Sequence, residues 1–344
     1  MPPPKPTVWS FEFTANHREY FRIWIVNTFL TLATFGVYAA WAKVRKKRYF
    51  YGHTRLLGHA FDYTAEPKRL LAGNAIVFVL FLGYAFFGAA YPVVKFLTLV
   101  FAAPVLPWLI IRALSFNARN TVHRGLAFRY RPYYPGAFLN FVVLPILCVI
   151  TLGGLYPYFS YKRKQFAIDR LRFGDGVFHF DGKVSTFYGF YFVGVLPFIA
   201  WFIALSMTLG IIAVNTGQTR ADFNENWLML GSVGSISVFW FSRMIVRVKK
   251  FNHVWNNTWL DGHRFHARMA LGTYLKIQLT NAAAVIGTLG LAFPWASVRL
   301  ARYTLSCLEI WPDGNLDKIE QLGTNKGAAL GDAATDFLGF DIGL

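Results

Sequence analysis

The stretch that decides the fold is Arg172-Phe173-Gly174-Asp175-Gly176-Val177-Phe178-His179-Phe180. Alternating residues flank a glycine-bearing turn, the pattern of a β-hairpin. Shortly after it comes Phe187–Val214, an apolar run that holds no Asp, Glu, Lys, Arg or His. Hairpin then helix is therefore the unit, and the chain repeats it. Phe11-Glu12-Phe13, Phe61-Asp62-Tyr63, Phe128-Arg129-Tyr130 and Phe265-His266-Ala267 also precede apolar runs, with the leading Phe residues 50, 67, 50 and 87 residues apart. That alternation indicates a duplicated two-helix block with a fifth unit added.

Composition places the units in a membrane. The chain is 55% hydrophobic and only 15% charged, with mean hydropathy +0.37, against about 25% charged for a soluble domain. Apolar runs lie at about 20–42, 70–91, 93–111, 138–159, 187–214, 227–246 and 274–297, near the length that crosses a bilayer as a helix. The expected fold is mainly α: a polytopic membrane protein of pseudo-repeated helix units, with short β-hairpins forming a small cytoplasmic sheet. Residues 1–19 are the N-terminal segment and first strand, 20–311 the transmembrane domain, and 312–344 an acidic, Gly-rich cytoplasmic tail.

The net charge of +18 is concentrated just after the apolar runs, as in Lys43–Arg48, Lys162–Lys164 and Arg243–Lys250. Beside spans this is the positive-inside pattern. It makes anionic lipid headgroups the expected partner and argues against nucleic acid.

Three units share a second signature. Thr34-Phe35-Gly36, Thr151-Leu152-Gly153 and Thr288-Leu289-Gly290 align without gaps at offsets of 117 and 254. Each predicts an apolar helix, a break at the glycine, and a short basic helix along the interface. If every run spans, basic segments fall on both sides of the membrane. If the Thr-x-Gly units re-enter, every basic hairpin is cytoplasmic, and this arrangement is preferred.

These elements supply the candidate sites. Asn27, Thr34, Gly36, Thr151, Gly153, Asn281, Thr288 and Gly290 are candidates to line a solute path, because polar groups at helix breaks are where transporters bind. The plainer role is interhelical and backbone hydrogen bonding. Arg45, Arg48, Lys162, Lys164, Arg299 and Arg302 are candidates to clamp a lipid phosphate or an anion. Asn120-Thr121 and Asn257-Thr258 correspond between two units and suit turns or caps. Gly231-x-x-x-Ser235 with Gly234 permits close helix packing. The histidine spacing is not that of a metal site. No phosphate loop, cysteine pair or nucleophile elbow is present, so neither cofactor nor enzyme activity is expected.

The leading Phe-x-Phe, the Thr34–Arg45 segment, Ala118-Arg119-Asn120-Thr121 with Gly125 and Phe128, and the tail Gly331–Asp341 together resemble the YjgN-like bacterial inner-membrane family, a domain-of-unknown-function family. The resemblance implies an inner-membrane protein with no assigned activity. Two functional readings follow: a transporter or channel for a small solute or lipid, or a non-transporting protein that binds anionic lipids or protein partners through its basic face.

Overall fold

In the computed structural model the described residues are 8–87, 91–216 and 225–312. The leading Phe of each repeated motif is the middle residue of a strand. β1 (Trp9–Phe13), β3 (His59–Tyr63), β5 (Leu126–Tyr130), β7 (Gly176–Phe180) and β9 (His263–Ala267) span five residues each. Shorter strands alternate with them: β2 (Thr54–Leu56), β4 (Thr121–His123), β6 (Leu171–Phe173), β8 (Thr258–Leu260) and β10 (Leu308–Trp311).

All ten strands close into one antiparallel barrel, in the order β1-β10-β9-β8-β7-β6-β5-β4-β3-β2. This corrects the expected small sheet. Four hairpins and the Phe11 strand leave one strand unpaired, and the missing partner is β10. Trp9 pairs with Ile310 and Glu309 with His266, so β10 bridges both ends of the row. A closed barrel has no exposed edge. Two-residue turns set the hairpin register. At Leu57-Gly58, Arg124-Gly125 and Asp261-Gly262 both central residues have positive φ, as right-twisted two-residue hairpins require.

The period-2 pattern fills the barrel. Phe11, Phe61, Phe128, Phe178 and Phe265 are all buried, and their register partners Leu56, His123, Phe173, Leu260 and Ile310 are buried too. Ring centroids lie 6.4 Å apart for Phe11 and Phe61, 6.3 Å for Phe128 and Phe178, and 6.0 Å for Phe178 and Phe265. The outward positions between them, such as Glu12, Arg55, Asp62 and His179, are exposed.

Five helical excursions leave the barrel, each after a long strand and each returning to a short one. The first is α1 (His17–Ala33) with α2 (Ala39–Gly52). The second is α3 (Pro67–Leu82), continued by a π-helical turn Gly83–Phe87, with α4 (Pro92–Arg119). The third is α5 (Tyr134–Phe138), a π-helical turn Leu139–Val143 and α6 (Leu144–Ile150), with α7 (Tyr156–Ile168). The fourth is α8 (Val184–Thr216) with α9 (Glu225–Asn256), and the fifth α10 (Leu271–Gly287) with α11 (Phe293–Ser306). The hairpin register puts the four strand turns at one rim and all the helices at the other.

The polytopic expectation is corrected as well. Among the described residues only Phe96–Arg119 and Val184–Ile211 form helices long and apolar enough to cross a bilayer. The Thr-x-Gly breaks end α1 and α10 at 17 residues each, about 25 Å at 1.5 Å per residue. The acidic tail beyond Pro312 and most of the loop at 215–226 lie outside the described residues.

Candidate functional site: a basic belt at the barrel rim

Every helix that returns to the barrel carries cations. Lys43 and Arg45 are on α2, Arg112 and Arg119 on α4, and Lys162, Arg163 and Lys164 on α7. Arg243, Arg247 and Lys250 are on α9, and Arg299 and Arg302 on α11. Because every excursion ends at the same rim, these residues form a belt where the helices meet the barrel.

The structure divides the expected anion-binding residues by what they already hold. Arg48 donates from Nε to the Tyr63 carbonyl at 3.0 Å and from Nη2 to Ala65 at 2.9 Å. Arg302 donates to the Ala15 carbonyl at 2.9 Å. Both therefore tie a return helix to the segment following the neighbouring long strand. Arg299 donates to Thr280 Oγ1 and to Asn281 Oδ1, at 2.6 and 3.2 Å, and lies over the Trp295 ring. Lys162 donates to Gln165 Oε1 at 3.0 Å and lies over Tyr158 and Tyr161. Arg45 is exposed, and Lys164 is half-buried.

A groove of about 390 Å³ opens between α1 and the start of α11. Phe21, Leu291 and Trp295 supply its apolar lining and His17, Arg18 and Arg22 its polar one, with the positive charge on the two arginines. Arg18 and Arg22 are both exposed and sit one helical turn apart, so they face the same way.

The residues proposed for a solute path have local work. Thr34 Oγ1 donates to the Leu30 carbonyl at 2.7 Å and accepts from the Tyr38 N–H at 2.9 Å. Thr151 does the same with Leu147 and Leu155, and Thr288 with Ala284 and Ala292. Each hydroxyl thus joins the helix that ends to the one that begins. Gly36, Gly153 and Gly290 have φ of +90°, +88° and +93°, and their N–H groups donate six residues' span back, to Thr31, Cys148 and Val285. This is the Schellman termination.

The tips of these breaks are apolar and stand outside the packed core. Phe35, Leu152 and Leu289 are 98%, 97% and 96% exposed, each with φ near +50°. In water three bare apolar side chains in an unfavourable backbone region serve nothing; in lipid they are solvated.

The polar turn candidates cap helices. Asn120 Nδ2 donates to Phe116 O at 2.6 Å and Thr121 Oγ1 to Asn117 O at 3.1 Å. Asn257 and Thr258 repeat this on His253 and Val254. Asn27 and Asn281 are buried; Asn281 Nδ2 donates to Ala296 O at 3.3 Å, whereas Asn27 Oδ1 has no partner.

Sequence reasoning placed His123 only among histidines of undiagnostic spacing and Lys250 only within the Arg243–Lys250 charge run, and it missed Asn140 altogether. Asn140 is buried in the third excursion, with Nδ2 donating to Gly136 O and Oδ1 unpaired. His123 is 2% exposed inside the barrel, neither ring nitrogen makes a well-formed hydrogen bond, and its ring stacks 4.4 Å from Phe61. Burial, then the charges of Arg124 and His59, push its pKa down to about 4, against a weak opposing effect of the Ala60 backbone. Lys250, beyond the apolar part of α9, is pushed down to about 7 by burial and then by Lys164, Arg163, Arg247 and Arg243. Its spacing from Arg243 and Arg247 was the signal available in the sequence.

The family model described as "Bacterial protein of unknown function (DUF898)" matches residues 9–337. "Inner membrane protein YjgN" of Salmonella typhimurium is 23% identical, over 91% of this chain and 91% of that protein. The protein of the same name from Escherichia coli K12 is 29% identical over 43% of this chain and 37% of its own length. No solved structure matches.

Proposed function

The chain belongs to the DUF898 family of bacterial proteins of unknown function, and from that premise we propose that it is an inner-membrane protein that grips anionic lipid headgroups with its basic belt. The observation that carries this reading is the α1–α11 groove. An apolar lining of Phe21, Leu291 and Trp295 beside His17, Arg18 and Arg22 has the amphipathic character of a phospholipid. Each cation close to an anionic surface contributes about 1 kcal/mol. The names of the Salmonella and Escherichia relatives support the inner membrane as its location. The exposed apolar tips at Phe35, Leu152 and Leu289 support the helices entering lipid while the barrel stays at its surface. Transport draws less support, because the break threonines are engaged in backbone bonds and aromatic side chains fill the barrel.

The test is native mass spectrometry of the protein released from nanodiscs that hold phosphatidylglycerol and phosphatidylethanolamine. The reading expects phosphatidylglycerol to be retained preferentially, and Arg18→Gln with Arg22→Gln to remove at least one bound lipid. Equal retention of both lipids, unchanged by the double substitution, overturns it. Solute flux through proteoliposomes in the absence of lipid selectivity would favour transport instead.

A further inference from the structure

A second groove, of about 410 Å³, opens between α4 and α5. Pro104, Pro107 and Trp108 form one wall, and Tyr134, Pro135 and Phe138 the other. The sequence accounts for the opening. A proline inside a helix removes a backbone hydrogen bond and kinks the helix. Both Pro104 and Pro107 lie inside α4, and three residues apart they share one face. Proline rings and aromatic rings are stiff, so covering these walls costs little conformational entropy.

The two ends of the groove differ in kind. α4 runs towards the barrel, where Ile111 and Leu114 join the buried core, and α5 runs away from it, directly after β5. Pro104 and Phe138 therefore mark the far end, on the part of α4 long and apolar enough to cross a bilayer. Trp108 and Tyr134 mark the barrel end, and that end is basic. Arg112 lies over the Trp108 ring, 5.1 Å from its centroid. On the opposite wall Arg170 lies 4.3 Å over Tyr133, the neighbour of Tyr134. The Arg131 N–H donates to the Arg170 carbonyl at 2.9 Å, one step beyond the paired Tyr130 and Leu171. Arg131 thus stands beside Arg170, three residues before Tyr134.

No carboxylate neutralises this end. Neither α4 nor α5 contains Asp or Glu. Asp169, next to Arg170 in the chain, accepts the Phe180 N–H at 2.8 Å and lies 3.6 Å from His179. Arg112 and Arg131 are exposed. A guanidinium stacked on an aromatic face still presents its in-plane N–H groups, the geometry that matches phosphate oxygens.

We infer that the α4–α5 groove binds a lipid whose head is a phosphomonoester, with a hydrocarbon chain between the prolines and the phosphate at Arg112, Arg131 and Arg170. The volume falls in the range of small-molecule sites. Three guanidiniums suit a phosphomonoester, which carries about two negative charges near neutral pH, better than a diester carrying one. The inference rests on the reading that the helices enter lipid, but its site and its head group are separate from those of the α1–α11 groove.

The experiment uses the full chain in phosphatidylcholine nanodiscs that hold small equal amounts of phosphatidic acid and phosphatidylglycerol. Native mass spectrometry counts each lipid retained. The groove predicts one tightly held phosphatidic acid, still present after Arg18→Gln with Arg22→Gln disables the other groove. Arg112→Gln with Arg131→Gln should weaken its retention at least tenfold. Arg112→Lys with Arg131→Lys should keep most of it, which separates lost charge from lost folding. Pro104→Phe, which fills the slot and leaves the cations in place, should release the lipid as well. Three results overturn the inference: no phosphatidic acid retained in the Arg18→Gln, Arg22→Gln background, equal retention of phosphatidylglycerol there, or retention indifferent to Arg112→Gln with Arg131→Gln. If the α1–α11 groove of the parent protein still selects phosphatidylglycerol over phosphatidylethanolamine in that event, the inference alone has failed; if it does not, the broader reading has failed with it.

Discussion

His123 offers a test of the barrel interior that no surface mutation can give. It occupies a lumen position whose counterparts in the other units are Leu56, Phe173, Leu260 and Ile310. Its two ring nitrogens are buried without a well-formed hydrogen bond, the Ala60 backbone acting on them only weakly, and an unsatisfied buried polar group costs about 1–3 kcal/mol. His123→Leu should therefore stabilise the protein by about 1–3 kcal/mol at pH 7.5. The pH dependence has a definite sign. Burial depresses the folded-state pKa from 6.5 to about 4, so below 6.5 the unfolded chain binds a proton that the folded barrel refuses. Stability from this group is thus complete above pH 6.5 and falls as pH drops towards 4. At about 1.4 kcal/mol per unit, the loss at pH 5 is roughly 2 kcal/mol. The leucine variant escapes it, so its advantage should widen by about 2 kcal/mol between pH 7.5 and 5. Urea unfolding in detergent micelles, followed by tryptophan fluorescence for both proteins at both pH values, measures this double difference. A variant less stable than the parent, or an advantage that does not change with pH, would refute the reasoning.

Other parts of the architecture give shorter tests. Phe178→Ala opens a hole in the ring of five phenylalanines and should cost about 3–5 kcal/mol, read from the same urea curves. Gly153→Ala meets no atom within 4 Å, yet Gly153 has φ of +88°, so only backbone strain is added; the expected loss is about 1–2 kcal/mol. With Leu152→Trp, fluorescence in brominated-lipid discs should be quenched, as a tip immersed in acyl chains requires; unquenched emission would place that tip in water.

The hairpins were legible because their pattern is local. Alternation and a glycine turn at Gly174 or Gly125 declare strands within ten residues. Closure was not legible, because it depends on β10, four residues at the far end of the chain. Leu308-Glu309-Ile310-Trp311 alternates correctly, but a run so short beside Pro312 gives no signal of its own, and its partner Trp9 lies about 300 residues away. The helix breaks were readable from Thr-x-Gly, since glycine at positive φ is the cheapest way to stop a helix. The threonines' own task was harder to see, because a hydroxyl at a break suits either a solute or a backbone group until the Tyr38 N–H is placed. Asn140 escaped for a geometric reason. Asn140 lies one helical turn before Leu144, the position that gapless comparison sets opposite Asn27, so residue-for-residue alignment passes over it. His123 was hidden because its burial follows from a register that only the closed barrel defines.

The pairing of β1 with β10 also governs how the molecule is made. The first strand leaves the ribosome long before its second partner exists. At about 5–20 residues per second, the wait from Phe13 to Leu308 is roughly 15 s to a minute. Throughout synthesis the row of strands stays an open sheet with two unsatisfied edges, while the apolar helices already need lipid. The nascent protein must therefore enter the membrane as an unfinished ring, and whatever guards those edges from pairing elsewhere acts until the last strand arrives.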